Sequence, residues 1–458
     1  MDIVHIASEM APIAKVGGLG DVIYGLSKSL VKKGHRVQVF LPKYDCIDYE
    51  LVQDLKILHK ELLVEEGKHQ IANTLWSSTL EGLELIFVEP NHPGAYFERG
   101  CIYGQQDDND RFLFFCKVCA TFLAQDSPKI VHLHDWPAAG AVLFLQSPLK
   151  TIFTIHNLQH QGRCAVFNLE RLGIEIEDEK LRDHENGDDL NLMRGALAKS
   201  DVITTVSPTY RDEILTSEYG CGLEKDLFLY KKKLKGILNG IDTEYWNPET
   251  DRFLSETFTM ETYPEGKRSN KVFVQRHLSL PPSPEKPLVT AITRLTSQKG
   301  PDLIYYGIEK TLEIGGQFAL LGSPPDEEMR DLFIEWNAHH DVAIRLDFDE
   351  ALSHQLYAGA DMLLMPSIFE PCGLAQMIAM RYGTVPLVRS TGGLKDTVKD
   401  EENGFSFDIP DNKGVASVLE RAFETYRTEN WDPLVKRAGA CDFSWDVSAE
   451  KYIEIYED

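Results

Sequence analysis

The sequence predicts an α/β protein of two domains, each a mostly parallel sheet wrapped by helices. Three observations lead there. Short apolar runs alternate with amphipathic stretches across nearly the whole chain, that rhythm stops between about residues 239 and 287, and it then starts again. A chain of 458 residues is also too long for one ordinary core.

In the first half the strand-like runs are residues 3–7, 36–41, 85–88, 130–134, 151–156, 202–206 and 236–238. Helix-like patterns follow at 19–33, 111–125 and 208–217. Runs that are apolar on both faces suit strands covered by helices on either side. The second half repeats the scheme with runs at 288–293, 317–321, 342–346, 362–365 and 385–388. Between them lie Trp246-Asn247-Pro248 and Leu280-Pro281-Pro282-Ser283-Pro284, which read as a boundary near 239–251 and an entry into the second domain's first strand. The expected domains are therefore 1–240 and 241–440. The tail 441–458 is amphipathic and is expected to pack back, as a helix, on the first domain. Two such Rossmann-like domains facing each other would leave a deep cleft lined by the carboxyl ends of both sheets.

Composition narrows the partners. Against 47 Lys and Arg stand 72 Asp and Glu, a net charge of −25. So acidic a surface repels phosphate backbones and anionic lipid, which argues against nucleic acid and membranes as partners. A site for an anionic ligand must then be built locally, from backbone N–H groups and a few cations. The amino terminus, Met1-Asp2-Ile3-Val4-His5, lacks the marks of a signal peptide, and no apolar run approaches the ~20 residues of a membrane span. Eight scattered Cys read as reduced thiols in a cytoplasmic protein. The pair Cys116 and Cys119 lies in an apolar helical stretch and reads as core rather than as redox or zinc chemistry.

Five segments carry chemistry. Lys15-Val16-Gly17-Gly18-Leu19-Gly20-Asp21 follows the first strand and opens a helix, where backbone N–H groups and the helix terminus can meet a phosphate. By itself a glycine turn before a helix is most often only a turn. Arg294-Leu295-Thr296-Ser297-Gln298-Lys299-Gly300 places two cations past the end of a strand, where a diphosphate can be gripped and its charge neutralised; a solvated loop is the plainer alternative. In Pro366-Ser367-Ile368-Phe369-Glu370-Pro371-Cys372-Gly373-Leu374, Glu370 offers a carboxylate to sugar hydroxyls, and Gly373 and Leu374 offer backbone N–H groups to phosphate. Thr154-Ile155-His156-Asn157 and His132-Leu133-His134-Asp135-Trp136 end two neighbouring strands. On a strand His132 and His134 share one face and Asp135 takes the other, which favours packing and sugar contacts over a metal.

Together these segments resemble the glycogen and starch synthase family of retaining glycosyltransferases, over essentially the full chain. Eight matches occur in order: residues 15–21, 132–136, 154–162, Thr205-Val206-Ser207-Pro208-Thr209-Tyr210, Leu238-Asn239-Gly240-Ile241-Asp242, 294–300, 369–374 and Thr391-Gly392-Gly393-Leu394. The resemblance implies the GT-B architecture, with the acceptor on the first domain and the nucleotide-sugar donor on the second. It also implies roles. Lys15, with the backbone at Gly17 and Gly18, would hold the donor's phosphates, and Arg294 and Lys299 would stabilise the departing nucleotide diphosphate. Glu370 would bind the glucose hydroxyls, and His156 would sit near the anomeric centre and the 6-hydroxyl. Asp21 and Asn239 would complete sugar and hinge contacts; Asp135, Asn157, Cys372, Gly373 and Leu374 would line the substrate. Phe348 stands where the family usually has Tyr against adenine, which keeps stacking and loses a hydroxyl. Ala375 replaces a usual Thr, Ile368 a frequent Arg, Pro137 a common His and His160 a common Tyr, departures that bear on donor affinity and acceptor preference.

The reaction so implied transfers glucose from ADP-glucose, or from UDP-glucose, to the non-reducing end of glycogen or a malto-oligosaccharide, with retention and release of the diphosphate. Retaining hydrolases often use a close carboxylate pair. No second carboxylate stands beside Glu370 in the sequence, so a same-face displacement is expected, with the leaving phosphate taking the acceptor's proton. No cofactor or metal is expected; Asp347-Phe348-Asp349 has an Asp-x-Asp form, but Phe348 is already assigned to the base. Two alternatives remain at this point: another nucleotide-sugar transferase on the same architecture, and a catalytically silent glucan-binding protein.

Overall fold

The computed structural model describes residues 1–125, 128–146, 149–174, 181–183 and 189–458. The chain divides into two compact units, one of Met1–Gly240 with Trp445–Asp458, the other of Ile241–Ser444. The return to the first unit thus comes at residue 445 rather than at 441.

The strands of the first unit are β1 (Asp2–Ile6), β2 (Arg36–Pro42), β3 (Gln53–Glu66), β4 (His69–Leu80), β5 (Leu83–Pro90), β6 (Ile130–His134), β7 (Lys150–Ile155), β8 (Arg163–Cys164), β9 (Leu190–Asn191), β10 (Val202–Thr205) and β11 (Leu234–Gly236). Nine of them form one sheet in the order β11-β10-β7-β6-β1-β2-β5-β4-β3, and β8 and β9 pair separately. Pairing is parallel from β11 to β5, with His5 opposite His132. The hairpin β3–β4 then joins β5 antiparallel. Sequence reading missed this hairpin because β3 is an edge strand, exposed at most positions and rich in Lys and Glu, so it lacks a buried strand's apolar run.

The chain proceeds from β1 to β2 and β5 on one side and to β6, β7 and β10 on the other. That reversal leaves a crevice beyond the carboxyl ends of β1 and β6, the place where open α/β sheets bind ligands. The helix Gly18–Lys32 covers one face with Val22, Ile23, Leu26 and Leu30. Helix Pro208–Glu213 is shorter than the expected 208–217. The last helix, Trp445–Glu457, belongs to this unit. Asp446 accepts from Ser29 Oγ at 2.7 Å, Lys150 Nζ donates to the Ile455 carbonyl at 2.5 Å, and a Cβ on Gly25 would lie 1.9 Å from Trp445 Nε1. Only glycine leaves room for that indole.

In the second unit β12 (Leu288–Arg294), β13 (Gln317–Ser323), β14 (Val342–Arg345), β15 (Met362–Met365), β16 (Val385–Arg389) and β17 (Phe405–Phe407) form a parallel sheet in the order β14-β13-β12-β15-β16-β17. Its reversal lies between β12 and β15. The stretch 239–287, expected to be irregular, contains the fifteen-residue helix Tyr263–His277. Its polar composition hid it. The helix buries Lys271, paired with Asp361 at 2.6 Å, and Lys267, which donates to the Tyr357 and Tyr382 carbonyls. Cys116 and Cys119 are buried in the helix Asp108–Leu123, and burial pushes the Cys116 thiol up to about 12, which suits packing rather than chemistry. No helix among the described residues is long and apolar enough to cross a membrane.

Candidate active site

At the crevice of the first unit the glycine turn is already occupied from within. Glu9, 4% exposed, accepts from the backbone N–H groups of Val16 at 2.7 Å and Gly17 at 2.8 Å, and from Tyr103 Oη at 2.7 Å. The Gly17 N–H, expected to be free for a phosphate, is therefore held by a carboxylate. The physical reason is the one that suggested phosphate: unpaired N–H groups at such a turn attract an anion, and Glu9 supplies it. The Glu in Ser8-Glu9-Met10, between strand and turn, was the signal that sequence reading passed over. Gly18 begins the helix, which has no side-chain cap. Nothing lies within 4 Å of a Cβ placed on Gly17, so packing does not demand glycine there. Lys15 Nζ lies 2.8 Å from Asp21 Oδ1, both side chains partly exposed.

Beyond β6, Asp135 takes φ +60°, a left-handed conformation that costs a non-glycine residue strain. Burial pushes its carboxyl up to about 8, opposed by the backbone N–H groups of His156, Asn157 and Trp136. Asp135 lies just past the end of β6, and its Oδ1 lies 3.4 Å from the His156 backbone N–H. The His132 and His134 rings lie 4.0 Å apart and each meets His5 of β1 at 5.1 Å, centroid to centroid. His134 links onward to His156 beyond β7. Asn157 Oδ1 accepts from Gln159 N at 3.0 Å and so shapes its own loop. Asn239 is 4% exposed, and its Oδ1 is buried without a hydrogen-bond partner among the described residues.

The second unit presents its candidates at the ends of β12 and β15. Arg294 closes β12 with an exposed side chain that makes no hydrogen bond or ion pair among the described residues. Lys299 Nζ pairs with Glu370, which also accepts from Ser367 Oγ at 3.0 Å. Sequence reading assigned Lys299 and Glu370 to separate ligand groups; the fold joins them, because a carboxylate 5% exposed needs a charged partner. The Glu370 turn is held from behind. A Cβ on Gly392 would lie 1.9 Å from the Glu370 carbonyl, and one on Gly393 2.1 Å from that of Cys372. This contact is what Thr391-Gly392-Gly393-Leu394 provides. Cys372 is buried, Gly373 has φ +76°, and Leu374 stands at the head of the short helix Ala375–Arg381. Phe348 is 84% exposed, and Asp349 next to it caps the helix Glu350–Gly359 by accepting from Leu352 N at 2.8 Å. That gives one half of the Asp-x-Asp form a structural use.

Among the described residues His5, His132 and His134 bring ring nitrogens within metal-ligand reach of one another, as do His339, His340 and Asp341. In the first group both nitrogens of His132 are engaged, by Tyr456 Oη at 2.7 Å and Thr154 Oγ1 at 2.6 Å. Both of His134 are engaged too, by His5 and His156. A metal would have to break these bonds.

Comparison with known proteins follows the same division. Residues 2–228 match the family described as starch synthase catalytic domain, and residues 277–432 match glycosyl transferases group 1. A glycogen synthase of Protochlamydia amoebophila is 41% identical over all of this chain and 99% of its own length. A probable starch synthase 4 of Arabidopsis thaliana is 45% identical over 99% of this chain, which spans 46% of that protein. The solved catalytic domain of starch synthase IV from Arabidopsis thaliana, bound to ADP and acarbose, superposes with a TM-score of 0.94 at 44% identity, covering 99% of this chain and 98% of that one. A sucrose-phosphate synthase from Thermosynechococcus elongatus, at 18% identity and a TM-score of 0.66 over 100% of this chain and 98% of its own, shares the fold alone. Two parallel-sheet units of the GT-B class, matched end to end by such relatives, establish that this chain belongs to the glycogen and starch synthase family of glycosyltransferases.

Proposed function

We propose that this chain transfers glucose from ADP-glucose to the non-reducing end of an α-1,4-glucan, retaining the anomeric configuration and releasing ADP. The observation that carries the reading is Arg294, a cation without a partner among the described residues, at the switch point of the second sheet in a protein of net charge −25. A guanidinium left without a protein partner suits phosphate oxygens that gain charge as the glycosidic bond breaks, and such preorganised donors commonly contribute more to catalysis than any other single effect. Glu370 takes the donor glucose hydroxyls. Its bonding partners are a cation and a hydroxyl rather than a second carboxylate, so we favour same-face displacement over a covalent intermediate. The leaving phosphate then accepts the acceptor hydroxyl's proton. Lys299 orients Glu370 and adds positive charge near the diphosphate. On the first unit Lys15 and the Gly18 backbone hold phosphate, and His156, Asp135, Asn157 and Asn239 contact the sugars; Asn239 Oδ1, buried and unpaired, is ready for a hydroxyl. Phe348 offers an exposed ring for the base.

The ADP of the solved relative supports the nucleotide, and the glycogen synthase relatives support the acceptor. No metal takes part on this reading. Eight free thiols suit a reducing compartment, and we place the reaction in the cytoplasm. The test is release of ADP from ADP-glucose with glycogen present, together with entry of labelled glucose into glycogen. Label in a small acceptor, faster use of UDP-glucose in direct competition, or no turnover at all would each refute the proposal.

A further inference from the structure

Three histidine rings run in a line behind the first unit's crevice. His5 Nδ1 lies 2.8 Å from His134 Nε2, and His134 Nδ1 lies 3.1 Å from His156 Nε2. The first two rings are fully buried, and only His156 retains accessible surface, 9%. His132 lies close by but stands outside the line, its nitrogens bonded to Tyr456 and Thr154. Burial lowers His5 and His156 to about 3 and His134 well below the usual range, so each ring is neutral at ordinary pH.

A neutral imidazole carries one N–H, so two hydrogen bonds in series tie the three protons together. Only two arrangements fill both bonds. In one, each ring carries its proton on Nδ1: His5 donates to His134, His134 donates to His156, and His156 keeps a free Nδ1–H. In the other, each proton sits on Nε2 and every bond runs backwards. The far end of the line decides between them. His5 Nε2 is buried and has no hydrogen-bond partner among the described residues. The second arrangement would seal an N–H there with no acceptor, and orphaned buried N–H groups are rarer than under-used acceptors. The near end is indifferent, because His156 Nδ1 bonds no described group and is not sealed from solvent.

We infer that His5 and His134 are positioning residues that fix His156 as its Nδ1–H tautomer, so that it presents a hydrogen-bond donor to an oxygen of the bound sugar or diphosphate. His5 does this through His134 without touching the ligand. The inference rests on the proposed role of His156 as a substrate contact, and the two fail separately.

The experiment is two-bond 1H–15N correlation spectroscopy on the full chain labelled at histidine, with His156 assigned through His156→Gln. The expected wild-type spectrum shows His156 protonated at Nδ1 and bare at Nε2; the opposite tautomer overturns the inference without any variant having to fold. In His5→Ala, water can take the place of the lost ring and either donate to His134 Nε2 or accept from it, so the far end no longer sets the direction of the line. The tautomer of His156 should become mixed, and kcat should fall about tenfold, the scale of one misplaced hydrogen bond, with little change in KM for the donor. His5→Asn, whose amide N–H can stand where Nδ1–H stood, should restore both the spectrum and kcat, which a purely structural loss would not do. An unchanged His156 tautomer in His5→Ala overturns the inference. Full activity of His156→Gln overturns the catalytic reading of His156 alone, and the spectra still decide the proton line.

Discussion

The two units hold their candidate anion-binding groups in opposite ways. In the first, the groups that could receive an anion already bond to one another: Glu9 fills the turn at Val16 and Gly17, and Lys15 is paired with Asp21. In the second, Arg294 makes no hydrogen bond or ion pair among the described residues, while Lys299 is paired with Glu370. An unpaired cation in an acidic protein gives its full charge to a ligand, whereas a paired one gives only what remains after its partner is displaced. On the proposed function, this difference would put the charge stabilisation of the reaction on the second unit and leave shape, hydrogen bonding and proton placement to the first.

Deleting one cation from each unit is the strongest way to break this contrast. Arg294→Ala should lower kcat by roughly 10²–10³, about 3–4 kcal/mol, the scale for one preorganised transition-state donor. Lys15→Ala should cost less than about tenfold, because exposed ion pairs are worth about 0–1 kcal/mol and its charge is already offset. Steady-state kinetics with glycogen as acceptor measure both, and equal losses would erase the distinction.

Phe348→Ala sharpens the picture of the second unit. An exposed ring that stacks on a base should contribute roughly 1–3 kcal/mol to donor binding. It should therefore raise KM for the donor more than it lowers kcat, since stacking serves ground and transition states alike. Unchanged KM with a large fall in kcat would remove the ring from the base pocket.

Asp135 tests the first unit. Its carboxyl is raised to about 8 by burial, against an unfolded value near 4, so the folded protein holds a proton that the unfolded chain releases. That stability is fully present below the unfolded value and declines as pH rises toward 8. Asp135→Asn mimics the protonated form and should raise Tm at pH 7.5 relative to pH 4.5 by at least about 2–4 °C more than wild type, the equivalent of about 1 kcal/mol. Thermal melts across that range decide it, and parallel curves for the two proteins would contradict the shift. The smallest expected effect is none: dialysis against a strong chelator should leave activity intact, and loss restored by magnesium or manganese would return a metal to the mechanism.

Much of this was legible in the residues, for identifiable reasons. Arg294 and Glu370 follow apolar runs that can only be strand ends, so their place in the fold came with the strand. Phe348 was reachable only through the resemblance, since an exposed ring leaves no periodic trace. Three things could not be read. The pairing of Lys299 with Glu370 depends on how far two loops fold over the end of one sheet. His5 looks like any polar residue in a first strand until β1 and β6 are known to be neighbours in register. Glu9 is adjacent to its turn in sequence, yet its use there depends on a chain reversal that spacing does not specify.

The position of Trp445 has a consequence for how the molecule is made. Because the first unit closes with the chain's last helix, the second unit is inserted into it, and the order of synthesis is not the order of completion. A nascent chain extended only to Ser444 holds every residue of the second unit, while the first still has an open slot over Gly25 and Tyr456 absent from its place beside His132. Of the two units, the one whose strands are made earlier is completed later.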